Sequence, residues 1–79
     1  MVTRMPTPEV TQITIQKEPI RLSQFLKLAN VVQDGVEAKI RILDGEVLVN
    51  DELETRRGRK LYNKDRVRFS DDTFEVLTE

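Results

Sequence analysis

A chain of 79 residues has room for one domain, with a total stability of only ~4–12 kcal/mol at ordinary per-residue values. It contains no Cys and no His, which removes disulfides, thiolate metal sites, the commonest general base and the best soft nucleophile. Its net charge of −1 and sequence pI near 5.5 argue, taken alone, against a polyanionic partner.

Charge distribution argues the other way. From Arg56 to Arg68 there are seven basic residues against one acid, Asp65, so that segment carries +6 and the remainder −7. A chain so divided can turn a positive face to a polyanion while staying acidic overall.

The first ten residues, with Pro6 and Pro8, read as a loose leader ahead of a single domain over 11–79. Gln12-Ile13-Thr14-Ile15-Gln16 then alternates strictly, which predicts a half-buried strand closed by Pro19. Leu22, Phe25, Leu26 and Ala29 fall on one helical face, with Ser23 as the expected N-cap and an end near Asn30. Asp34 and Glu37 resemble a capping box for a second helix. Its expected apolar row is Val36, Ile40 and Leu43 with Ile42 beside them, and Gly45 stands at the left-handed C-cap position.

From Glu46 the period becomes two, giving a strand at Val47–Val49 and a turn at Asn50-Asp51. Arg56-Arg57-Gly58-Arg59-Lys60 forms a basic loop leading to Leu61. After an Asn63-Lys64-Asp65 turn, Val67 and Phe69 mark another strand, and Asp71-Asp72 turns the chain into a last strand over 73–77. The expected order is β-α-α-β-(basic loop)-β-β, an α+β domain in which two short helices pack on a small antiparallel sheet.

No motif carries chemistry. The only glycines, Gly35, Gly45 and Gly58, form no phosphate loop, and the paired acids Asp51-Glu52 and Asp71-Asp72 read as solvated turn residues. No enzyme activity, cofactor, metal or small-molecule substrate is expected. No apolar run approaches the ~20 residues of a membrane span, and Met1 to Pro6 lacks the apolar stretch of a signal peptide. The expected location is the cytoplasm.

An ordered set of segments resembles the S4 RNA-binding domain: Arg21-Leu22-Ser23-Gln24-Phe25-Leu26-Lys27-Leu28-Ala29, Glu37-Ala38-Lys39, Gly45-Glu46-Val47-Leu48-Val49-Asn50, Arg56-Arg57-Gly58-Arg59-Lys60-Leu61 and Asp65-Arg66-Val67. It is similar to short stand-alone bacterial S4-like proteins. The resemblance implies the alpha-L arrangement of two helices and a non-catalytic grip on structured RNA, ribosomal RNA or tRNA, at a ribosomal subunit. The residues it points to are Arg21, Lys27, Lys39, Asn50, Arg56, Arg57, Arg59 and Lys60. Arginine forks suit phosphate oxygens, and counterion release drives such binding.

Without the resemblance, the basic loop reads equally well as a solvated turn paired with acids elsewhere, and Lys27 and Lys39 as plain surface lysines. Tyr62 is a stacking candidate or a strand residue at the core edge. Two positions depart from the family pattern: Gly35 stands where many members carry Arg, and Asp51 where the turn is usually Gly. Together with the overall acidity they favour the alternative function, a protein-interaction module on an S4-like scaffold.

Overall fold

The computed structural model describes residues 10–79. Its elements run β1 (Val10–Ile15), β2 (Ile20–Arg21), α1 (Leu22–Leu28), α2 (Gly35–Leu43), β3 (Val47–Val49), β4 (Glu52–Leu53), β5 (Lys60–Leu61), β6 (Arg66–Phe69) and β7 (Asp72–Thr78). The expected leader lies outside the described residues except Val10, which already belongs to β1.

Five strands form one sheet in the order β1-β7-β6-β3-β4, and β2 pairs with β5 in a second, two-stranded sheet. The expectation of an antiparallel sheet holds for the β3–β4, β3–β6 and β6–β7 pairs. It fails at one edge, where β1 lies parallel to β7 with Val10 opposite Thr73 and Ile15 opposite Thr78. Alternation specifies a strand and its buried face, but not its partner. The whole domain between β1 and β7 serves as the crossover that a parallel pair needs.

Apolar residues explain the layers. Leu22, Phe25 and Leu26 of α1 and Ala38 and Ile42 of α2 are buried against Ile15, Val47, Val49, Leu61, Val67, Phe74 and Val76. Phe25 meets Phe74 edge-to-face, ring centres 6.4 Å apart and planes at 79°, a favoured aromatic geometry.

The face of α2 is not the expected one. Val36, Ile40 and Leu43 are exposed at 69%, 52% and 60%. Ala38 and Ile42, one turn apart, occupy the core instead.

Helix ends follow local chemistry. Asp34 caps α2 by accepting the Glu37 amide at 2.9 Å, while the Glu37 carboxylate reaches past it to the Gln33 amide at 2.7 Å. Both helices end in Schellman motifs. Gly45 (φ 79°) and Glu46 donate back to Ile42 and Arg41, and Asn30 (φ 62°) and Val31 donate back to Lys27 and Leu26. Ser23 does not cap α1, which starts two residues earlier than such a cap implies, at Leu22 with Arg21 as the N-cap. Ser23 is instead the second residue of the helix, and its own amide is bonded to the basic loop.

The turn Asn50-Asp51 has both residues at positive φ, 52° and 67°, the two-residue hairpin loop that suits the twist of flanking strands. The last hairpin turns at Ser70-Asp71, one residue before the expected Asp71-Asp72, since Asp72 already pairs with Phe69.

Candidate nucleic-acid interface

The basic loop is bonded to the head of α1. The Leu22 amide donates to the Arg59 carbonyl at 2.8 Å and the Ser23 amide to the Arg57 carbonyl at 3.0 Å. Arg21 pairs with Lys60 across β2–β5. Two orphan amides of the helix start are thereby satisfied by the loop, and the loop is fixed beside α1.

The consequence is an open concavity lined by Arg21 and Ser23 from the start of α1, Gly35, Val36 and Lys39 from the start of α2, and Arg57 and Gly58 from the loop. Three of the eight sequence-predicted residues, Arg21, Lys39 and Arg57, converge here from separate elements. Arg56, Arg59 and Lys60 line an adjoining concavity with Gly58. Lys39 and Leu43 reach the same loop further along α2, beside Arg56 and Arg57.

Two expected residues stand elsewhere. Lys27 lies on the other side of α1 with Ile20, Gln24 and Leu28. Asn50 sits at the β3–β4 turn, its side chain accepting the Arg66 amide at 2.9 Å and donating to Asp65 at 3.2 Å. Those bonds hold the turn. Tyr62 is exposed at 48% but does not line the concavity, and its amide donates to the Asp65 carboxylate at 2.8 Å.

The decisive residue that sequence reasoning passed over is Glu54. It is 5% exposed, the one charged residue in the core among those described. Its carboxylate accepts from the Arg56 amide (3.0 Å), from Arg56 Nε (3.0 Å) and Nη2 (3.2 Å), and from Arg59 Nη1 (2.7 Å). The side-chain bonds from Arg56, aided by those from Arg59 and the Arg56 amide, outweigh desolvation and hold its pKa down at about 2. Two of the three loop arginines are therefore partly neutralised from within. Arg57 forms no ion pair among the described residues. The only hint in the sequence is an acid two residues before an Arg cluster, which any solvated turn also shows.

Elsewhere, Arg66 pairs with Glu75 at 3.6 Å on the open sheet face. No group of three or more His, Cys, Asp or Glu that could hold a metal occurs among the described residues. No helix among them is long and apolar enough to cross a membrane.

Two helices on one face of a small sheet, with a basic loop bonded to the head of the first, define an α+β module of the alpha-L type. The chain belongs to the S4 domain family, whose model matches residues 13–77. Over 50 residues it is 60% identical to a probable ribosome maturation protein, RlbA, of Bacillus subtilis (strain 168), a match covering 63% of this chain and 70% of that protein. It is also similar to the solution structure of YbcJ from E. coli, described as revealing an alpha-L motif involved in RNA binding. That likeness has a TM-score of 0.66 at 31% identity and covers 98% of this chain and 96% of the other.

Proposed function

We propose that this protein binds structured RNA without catalysing a reaction, and that its site is the concavity between the starts of α1 and α2 and the basic loop. The observation that carries this reading is the convergence of Arg21, Lys39 and Arg57 on one surface. Cations brought together from three elements neutralise neighbouring phosphates, and each contact releases condensed counterions. Arg57 is the primary phosphate contact, Lys39 and Arg21 flank it, and Lys60 extends the surface past Gly58. Arg56 and Arg59 act chiefly as struts on Glu54. Lys27 and Asn50 fall outside the primary contact.

The family membership and the alpha-L neighbour support RNA as the ligand, and the ribosome maturation relative supports ribosomal RNA in the cytoplasm as the setting. The absence of His, Cys and any catalytic motif supports a binding role.

Binding to ribosomal RNA fragments across a salt series tests the reading. Three or four phosphate contacts give a slope of log K against log salt of about −2 to −4. A flat slope, or no binding at low salt, rejects it. A protein partner that stays bound after nuclease treatment would favour the interaction-module alternative.

A further inference from the structure

The row Val36, Ile40 and Leu43 is exposed although α2 has a well-filled core face in Ala38 and Ile42. The three side chains lie within about 60° of one another around the helix. Each exposes more than half of its surface, together roughly 300 Å² of apolar area, a size that on a small monomer often marks a functional patch.

Its borders are unlike each other. On one side lies Lys39, which shares a concavity with Val36, Arg21 and Arg57 and a second one with Leu43, Arg56 and Arg57. On the other side lie Glu37 and Asp44. Glu37 is tied to Arg41 at 3.6 Å, and Arg41 to Glu46 at 3.4 Å. The apolar row is therefore continuous with the cationic concavity along one edge and fenced by acids along the other.

We infer that this row is the seat of an unpaired nucleotide, so that the RNA taken by this site carries a bulge, loop or free end rather than continuous duplex. The inference rests on the RNA-binding reading above. A paired helix presents phosphates and sugars outward and hides the faces of its bases, so it offers an aliphatic row nothing to bury. An unstacked nucleotide offers an apolar base face attached to an anionic phosphate. Its phosphate sits on the Lys39 and Arg57 side, and its base lies across Val36, Ile40 and Leu43. The acidic border at Glu37 and Asp44 repels a second phosphate from the far side, which fixes the direction of approach. A second copy of this chain is a poorer occupant, because the row falls well short of the about 800 Å² per partner of a stable interface.

The test uses the full chain with two RNA hairpins of the same stem, one fully paired and one carrying unpaired adenosines within the stem. Binding is followed by fluorescence anisotropy across a salt series. The wild-type protein should prefer the bulged hairpin by about fivefold or more. A variant with Ile40→Gln and Leu43→Gln, two positions of the row outside the concavity lined by Arg21, Lys39 and Arg57, should lose that preference while keeping its affinity for the paired hairpin and its salt slope. Both positions are exposed, and a far-ultraviolet circular dichroism spectrum checks the helix.

Equal binding of both hairpins by the wild type overturns this inference and leaves the RNA reading standing, as does a variant that keeps the preference. Binding of neither hairpin at low salt overturns both readings.

Discussion

Gly35 offers a gain-of-contact test of the proposed site. A Cβ placed there meets nothing within 4 Å, and the residue lines the same surface as Arg21, Lys39 and Arg57. Gly35→Arg should therefore fit without strain and add a phosphate contact. The expected result is tighter RNA binding and a salt slope steeper by about 0.7–0.9. An unchanged slope would mean that the phosphate backbone does not pass over the start of α2. Asp51 is the other departure from the family pattern, and its effect belongs to the fold. At φ 67° in the β3–β4 turn it carries a left-handed penalty that glycine lacks. Asp51→Gly should raise stability by about 1 kcal/mol, read as a higher urea midpoint at unchanged m-value, and should leave RNA binding unaltered because Asp51 does not line the concavity.

At the scale of the element, the basic loop is a buried carboxylate with arginines arranged around it. The folded pKa of Glu54, about 2, lies below its ordinary 4.5. Its contribution is therefore fully present above pH 4.5 and disappears as the pH falls from 4.5 toward 2; it amounts to at most roughly 3 kcal/mol, less for the screening at exposed Arg56. Glu54→Gln should destabilise the protein at pH 7, and the stability gap between the two proteins should close over that acid range in urea titrations. A gap that stays constant with pH would mean that the carboxylate charge is not what the loop uses. The same geometry separates the arginines. Arg57→Ala should flatten the salt slope by about one phosphate contact, whereas Arg56→Ala should lower stability more than it changes the slope. Much of this scale was legible in the sequence: Gly45 at a C-cap, Asp34 as an N-cap and Asn50-Asp51 as a turn follow from backbone chemistry confined to a few residues. The buried face of α2 did not follow, because Val36, Ala38, Ile40, Ile42 and Leu43 put apolar groups on more than one side of a nine-residue helix. Only the tertiary partner chooses among them. Glu54 was hidden for the same reason, since its burial depends on where the β3–β4 hairpin and the loop close over it.

At the scale of the whole molecule, the basic segment is divided between two surfaces, and the topology says where. The concavity lies where α2 begins. The chain leaves the end of α2 into β3, whose first residue, Val47, pairs with Phe69 at the end of β6. Asp71, two residues past Phe69, lines a hollow that shares no residue with the concavity. The sequence revealed that Arg56 to Arg68 carries +6 but not that this charge divides in space. Arg57 faces the concavity, whereas Arg66 and Arg68 line a hollow with Asn50 and Asp71, because strand alternation sends β6 arginines to the open sheet face. This division yields a prediction that net charge alone would get wrong. Neutralising Asp71 and Asp72 to Asn shifts the net charge by +2, from −1 to +1. It should nevertheless leave the salt slope of RNA binding unchanged and raise affinity only at low ionic strength. Reversing Arg57 to Glu shifts net charge by the same amount in the other direction, yet should remove most binding at physiological salt. If the two changes moved affinity by equal and opposite amounts at that salt, overall charge rather than the concavity would govern association.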